Sequence, residues 1–418
     1  MVLDPHVVET AHWPRSGAAT SVSPPVRTAS NDTKEITVPQ WRLKGAAAVL
    51  AALVPLTSLA AQADPALVAA RTRFFGYDNV DQQSGEVNKD KVIVSWFSVA
   101  SFAVAARGHV FLLDSYIYRL ADTPGYVPAT VQELVDLKPE AIFIGHGHFD
   151  HADNAAYIAV KTDARIFGAA EHCTAMAGDA ARIFGAGTPV KCTALTTPGS
   201  VPGTEVRTID AMFPHLCITS FKHLHSGAAP LDPDYPQNLV NAVRDPRVAE
   251  LYPTQPPPSL DTRTQAGAGG TVSMLYQFTI GSFSLLWHDT AGPLKNFQPH
   301  ILPMLAALPK VDVELGSLVS LGETVNGVRD IAMYIERVKP KIFYGNHTDN
   351  FNIGASEYYF RALERQFDIF GIPSAERPEM PGFHDPYDYL RPGLATFEWK
   401  SKRWDARPAG KAPASCPA

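Results

Sequence analysis

The chain has no run of lysine or arginine. Its 36 basic residues are outnumbered by 42 Asp and Glu, for a formal net charge of −6 over 418 residues. That balance offers no electrostatic footprint for a polyanion, which argues against DNA or RNA as a partner and for a small or neutral substrate. Long apolar runs are also missing. The most apolar stretch, Gly45 to Leu56, contains Pro55 and falls short of the roughly 18 to 20 residues that span a bilayer, so no stable membrane anchor is expected. No self-similarity at a period of roughly 20 to 50 residues appears, which excludes a solenoid. Cysteine is scarce: Cys173, Cys192, Cys217 and Cys416 are the only four, and none has the C-x-x-C spacing of a zinc knuckle or redox pair. Buried free thiols are the expected state, with Cys173 and Cys192 the nearest pair should a bridge form.

What is present is an ordinary globular composition, 45% hydrophobic and 19% charged, able to bury a large core. The first sixty or so residues stand apart. They are rich in Ser, Thr, Pro and Ala up to Trp41-Arg-Leu-Lys44, and the apolar run follows. A positive segment before a short apolar one is the layout of a secretory signal, and Ala61-Gln62-Ala63 puts small residues where a signal peptidase reads. Residues 1–63 are therefore expected to be a leader cut before Asp64, with the mature chain exported to a periplasm or secreted. A disordered tail, a buried helix or a translation start nearer Val38 are the alternatives. Residues 64–395 are read as the main domain and residues 396–418 as a flexible tail.

Within that domain the segment Lys91 to Ala105 alternates and is rich in β-branched and aromatic residues. With the turn at Arg107-Gly108 and the run His109 to Asp114, it predicts a β-hairpin at a sheet edge. Val131, Leu134, Val135 and Leu137 have helical spacing, ended by Pro139, and Ala141 to Ile144 reads as a buried strand. Helices over Asp153 to Val160 and Glu171 to Ile183 flank a strand at Ala164 to Gly168. Further strands follow at Val206 to Thr208, Cys217 to Leu224, Val272 to Ile280, Ser282 to Trp287, Val311 to Val313 and Lys341 to Gly345, with a helix over Gly327 to Val338. The alternation predicts α/β architecture, sheets covered by helices. Ser226 to Gly270 breaks it. Its many prolines and its glycine-rich end make it a long Pro-rich loop insertion, read as a lid in which Tyr235 and Tyr252 could face a substrate.

The chemistry sits in His146-Gly-His-Phe-Asp-His151. Three of the chain's 14 histidines fall within these six positions beside an aspartate, too many for chance. Alternate residues leaving a strand point the same way, so His146 and His148 can share one cation. Asp150 and His151, at the turn into a helix, face a second. Neutral imidazoles and a carboxylate suit zinc, and a catalytic site needs further ligands at other strand ends. His223 or His225, then Asp289, then His347 are suitably placed.

From about Lys91 to about Asn350 the sequence resembles the metallo-β-lactamase superfamily, in particular its ascorbate-phosphate lactonase-like and phospholipase-D-like branch. Ser95 to Phe102, Leu112 to Asp114, His146 to His151, His225-Ser-Gly227, Trp287 to Thr290 and Lys339 to His347 come in the family order. The resemblance implies an αββα sandwich holding two Zn2+ per chain, with Mn or Fe as alternatives. It assigns His146, His148 and His225 to one metal, Asp150, His151 and His347 to the other, and Asp289 to a bridge between them. Asp150 and Asp289 would serve catalysis, Asp150 by orienting the water and moving its proton, and Asp114 would support the site from beneath. His225 is preferred to His223 because Ser and Gly follow it. Where the family has Gly before the bridging aspartate, this chain has His288. It is a substrate or second-layer contact, or a buried hydrogen-bonded histidine; His223, where it is not the third ligand, is a substrate or second-layer contact, and His172 and His215 are structural or rim residues. A pair of divalent cations lowers the pKa of bound water toward about 7, so the implied activity is hydrolysis of an ester, lactone, amide or phosphoester bond of a small molecule. A metallo-phosphodiesterase acting on a lipid or nucleotide-like diester, an iron oxygenase and a metal-binding protein without catalysis are the other readings of the same fold.

Overall fold

Apolar residues on both faces of the strands decide the layering. The structure is a computed structural model describing residues 63–117, 129–213, 216–234, 269–318, 326–348, 356–383 and 388–404. In β1 (Lys91–Ser98), Val92, Val94 and Trp96 enter one core while Ile93 and Phe97 enter another. Strands buried on both sides must be covered on both sides. β2 (Ser101–Ala106), β3 (His109–Leu113), β4 (Ala141–Phe143), β5 (Arg165–Gly168) and β6 (Cys192–Ala194) continue this first sheet, antiparallel as far as β3 and parallel beyond it. The second sheet holds β7 (Val206–Phe213), β8 (Leu216–Leu224), β9 (Val272–Ile280), β10 (Phe283–His288), β11 (Val313–Ser317) and β12 (Ile342–Asn346), in the order β12-β11-β10-β9-β8-β7.

The sheets share a core of Trp96, Phe111, Phe143, Tyr276, Phe278 and Trp287. Outside the first sheet pack α1 (Pro65–Phe75), α2 (Val131–Asp136), α4 (Ala155–Thr162) and α5 (Ala170–Phe184), with the one-turn α3 (Phe149–Ala152) just ahead of α4. The short α6 (Leu294–Phe297), α7 (Ile301–Ala307), α8 (Arg329–Val338) and α9 (Ser356–Ile369) cover the second. The result is the expected two-sheet α/β sandwich. Thr130 starts α2 with a capping box closed by Glu133, which satisfies two otherwise orphaned backbone N–H groups. No helix among the described residues is long and apolar enough to cross a membrane. The expected leader lies outside the described residues apart from Ala63, and the described part of the insertion is limited to residues 226–234 and 269–270.

Three expectations change. The segment Lys91 to Ala105 is two strands, because the chain turns back at Val99-Ala100, where Val99 takes φ 43°. The hairpin that follows is not at an edge. The strand β13 (Thr396–Glu398) lies antiparallel to β1, pairing Lys91 with Glu398, and Phe397 and Trp404 join the inter-sheet core. Residues 396–404 are therefore part of the fold and not of a flexible tail; the apolar side chains at 397 and 404 give the reason. Cysteine is the third. Cys173 on α5 is bonded to Cys192 on β6, Cys217 is disulfide-bonded too, and no described cysteine is a free thiol.

Trp404 is 4% exposed, so Trp404→Ala should cost about 3–5 kcal/mol in denaturant unfolding, as large core truncations do. Lys400→Ala, which removes an exposed pair with Asp90 and a cation–π contact with Trp399, should move the unfolding midpoint far less than Trp404→Ala does.

Candidate metal centre

Each proposed ligand stands at or just beyond a strand's carboxyl end. β4 stops at Phe143, and after Gly145 the chain delivers His146, then His148 as the residue capping α3, then Asp150 and His151 on that single turn. His225 follows β8, Asp289 follows β10 and His347 follows β12. Gly145 is required for space: a Cβ there would lie 2.2 Å from the Asp289 carboxylate carbon. His347 takes a left-handed φ of 65° and Asp114, behind the site, one of 52°. Such conformations cost non-glycine residues about 1 kcal/mol or more and persist where the surroundings over-determine them. At His347 the backbone N–H donates to the Val99 carbonyl at 2.9 Å, and that carbonyl also accepts from the Trp96 indole at 2.9 Å.

The hydrogen bonds fix which imidazole nitrogen is bare. His151 Nδ1 faces Asp114 Oδ2 at 2.8 Å and Asp289 Oδ2 at 3.1 Å, His146 Nδ1 faces Asp289 Oδ2 at 2.7 Å, and His225 Nδ1 faces the Ser226 carbonyl at 2.6 Å. Oxygen acceptors at all three Nδ1 atoms hold the protons there, which leaves the Nε2 lone pairs of His146 and His225 exposed for ligation; His151 Nε2 ligates once it gives up the proton that its acidic neighbours favour. His151 Nε2 then lies 3.1 Å from His347 Nε2 and 3.7 Å from Asp150 Oδ2, with 3.6 Å between the last two. His146 Nε2 lies 3.0 Å from His148 Nδ1, and the His225 ring centroid is 4.6 Å from that of His146 and 4.8 Å from that of His148. The two groups, His146/His148/His225 and Asp150/His151/His347, each converge within 4.8 Å.

Asp289 touches one imidazole of each group and is 0% exposed, and its Oδ1 has no hydrogen-bond donor. A buried carboxylate oxygen without a donor is expensive unless a cation answers it. The surrounding field has the right sign. Burial opposes charge on His151, yet the Asp150, Asp289 and Asp114 carboxylates hold its pKa well above the ordinary histidine range. Burial likewise opposes ionised Asp289 and Asp150, but the imidazoles of His146 and His151 around the first, and of His151, His347 and His146 around the second, bring both below the ordinary carboxylate value. Burial itself lowers His146, His148 and His225, the last to about 4, so these rings are neutral and fit to bind a metal near neutral pH. Ligand atoms at about 2.0–2.2 Å from a tetrahedral zinc stand about 3.3–3.6 Å apart, close to the Asp150/His151/His347 edges. The donor set fits a pair of divalent cations.

The other histidines separate clearly. His223 and His225 do not share a face, because β8 ends at Leu224 and the chain turns His225 toward His146 and His148. His223 stays buried in the second sheet with Nδ1 2.9 Å from the Tyr334 hydroxyl, its pKa down to about 3 through burial and the nearby His288. His288 is 0% exposed, with Nδ1 on the Thr290 carbonyl and Nε2 on Glu314, each at 2.9 Å. Neither ring is open to a substrate, which corrects that part of the expectation: both are buried hydrogen-bonded histidines. His172 accepts from Ala169 N at 3.1 Å and faces the Val272 carbonyl at 2.9 Å; His215 lies outside the described residues.

Sequence reasoning missed the clamp behind His225. Arg329 is fully buried, and its guanidinium reaches Asp232 at 2.8 Å, Asp330 at 2.6 Å and Asn296 at 2.7 Å, while Lys295 reaches Asp232 at 2.8 Å. It ties the first residues of the insertion to α6 and α8. Ser226 N–H also donates to Thr290 Oγ1 at 3.0 Å, one residue beyond Asp289. An Arg and an Asp 97 residues apart leave no local pattern to read.

No family profile matches the chain. It is 37% identical over 78 residues to a UPF0173 metal-dependent hydrolase of Pyrobaculum arsenaticum, a stretch that is 19% of this chain and 32% of that protein. A second UPF0173 metal-dependent hydrolase, from Pyrobaculum aerophilum, matches with the same identity and the same shares. The chain thus spans about a third of the length of these curated relatives. Among solved structures, a metallo hydrolase from Ignicoccus hospitalis aligns with 70% of this chain and 96% of its own, at 14% identity and a TM-score of 0.43.

Asp114→Asn should free the His151 tautomer and weaken metal binding by about 10- to 100-fold, the usual cost of losing such a support, read by competition with a chromogenic chelator. His225→Ala should remove one bound metal and nearly all turnover. His223→Ala, which takes one of the two hydrogen-bond partners of the Tyr334 hydroxyl and leaves the Gly292 backbone, should destabilise by about 1–3 kcal/mol and keep the metal content of the parent.

Proposed function

We propose that the chain is a metal-dependent hydrolase that holds two zinc ions, one at His146/His148/His225 and one at Asp150/His151/His347, with Asp289 between them, and cleaves an ester, lactone, amide or phosphoester bond of a small molecule. The observation that carries this is the convergence of two groups of metal-ligating side chains, His146/His148/His225 and Asp150/His151/His347, on one buried carboxylate with an unanswered oxygen. Bound there, two such cations supply an acidified water and an electrophile for the carbonyl or phosphoryl oxygen.

The chain's own groups account for the rest. Asp150 is held as a carboxylate by the imidazoles of His151, His347 and His146, so it can accept a proton from the attacking water and pass it to the leaving group. Asp114 accepts from Gly145 N–H at 2.9 Å as well as holding His151, so the turn carrying the histidines and the ring itself share one anchor. No serine or cysteine takes part in this arrangement, and a dedicated nucleophile is not needed. Two disulfide-bonded regions, at Cys173–Cys192 and Cys217, support the exported location read from the leader, since such bonds persist in oxidising compartments.

The test is direct. Purified protein should carry close to two equivalents of zinc by elemental analysis and hydrolyse at least one member of a panel spanning the four bond classes. Treatment with a chelator should abolish that activity and zinc should restore it. Undiminished hydrolysis by metal-free protein would refute the proposal.

A further inference from the structure

The turn that supplies Asp150 and His151 also presents a large apolar ring to solvent. Phe149 is 38% exposed, whereas Asp150, His151 and Ala152, the other members of α3, are buried. A single exposed phenylalanine needs no explanation in general. This one lies between two members of the metal centre and rests on apolar structure of its own. Its ring meets that of Tyr116 edge-on, with centroids 6.1 Å apart and planes at 78°. Tyr116, 1% exposed, forms with Val99 and Ala100 a buried apolar cluster separate from the three cores that hold the sheets and helices together. The Val99 carbonyl takes the backbone N–H of His347 at 2.9 Å. A small apolar shelf is thereby fixed against the Asp150/His151/His347 group, and only its outermost ring is open. Among the described residues, the other side chains that converge at the metal centre are imidazoles and carboxylates.

We propose that Phe149, seated on Tyr116, Val99 and Ala100, is a specificity-determining wall of the substrate site and receives an apolar aryl or alkyl group attached to the bond that is cleaved. This rests on the metal-hydrolase reading. It adds the class of substrate: one polar, metal-directed head joined directly to an apolar tail. A substrate polar on every side would leave the ring and the shelf under it in water.

The probes are acetohydroxamate, hexanohydroxamate and benzohydroxamate, which share a chelating head and differ only in the tail, titrated by calorimetry into zinc-loaded protein. Burial of a few methylenes or a ring on an open shelf should make the two longer compounds bind about tenfold or more tighter than acetohydroxamate. In Phe149→Ser that ratio should fall to about twofold or less, and Phe149→Leu should keep most of the hexano preference, with equal zinc content in all three proteins. A ratio near one in the parent, or an unchanged ratio in Phe149→Ser, overturns the inference. Failure of every hydroxamate to bind, acetohydroxamate included, overturns the metal reading and this inference with it. A tail preference lost in Phe149→Ser, in a protein that cleaves no bond of the panel, supports the shelf and sinks only the hydrolytic reading.

Discussion

The structure is organised around one buried charge, the carboxylate of Asp289. An ionised carboxylate away from water is tolerable only when paired or bound to a cation, and at this position the pairing is supplied by His146 from the first sheet and His151 from α3. The arrangement holds only if the two sheets stand at one fixed separation at this edge. The glycine at 145 keeps the carboxylate from being displaced, and the Tyr276 hydroxyl, donating to the Ile144 carbonyl at 2.8 Å, fastens the second sheet to the segment that carries His146.

Around that charge the protein arranges supports that have no access to a substrate. Asp114 grips His151 and the Gly145 backbone. Val99 and His347, both in the left-handed region, are locked together by a backbone hydrogen bond, and Arg329 secures the segment after His225. Burial pushes Asp114 itself well above the ordinary carboxylate range, with the Asp289 charge adding to it. The energetic cost of the two buried acids and the left-handed residues is carried by the aromatic core between the sheets, where the Phe143 ring lies 5.3 Å from Tyr276 and 5.0 Å from Phe278, and Tyr276 lies 5.6 Å from Trp287. Stability is thus concentrated behind the centre, and strain at its rim.

The sequence made the centre's members readable because they lie in one short motif or beside strands with clear alternation. His146 to His151, Asp289 and His347 all follow runs of buried residues, and the choice of His225 over His223 came from its neighbours. What the sequence concealed depends on long-range pairing. Residues 396–398 look too short for a strand until Lys91 is placed opposite Glu398. The turn at Val99 was hidden because a β-branched residue is an unusual occupant of positive φ, and the segment reads as one continuous strand. His288 could not be assigned without Glu314, which sits on a neighbouring strand. Free thiols are the preferred reading of the sequence, with Cys173 and Cys192 only the nearest candidate pair, because spacing alone does not reveal that α5 and β6 bring the two together.

The last strand, β13, closes the first sheet against β1, and the Trp399 indole donates to the Lys89 carbonyl from a point 310 residues along the chain. Contacts between such distant segments pay off late, since the intervening loop must be ordered before they can form. Val92 and Ile93 on β1 gain their outer neighbours Phe397 and Thr396 only when that distant segment is in place. A lesion confined to residues 396–404 would therefore be felt far earlier in the sequence, where it would bare the backbone edge of β1.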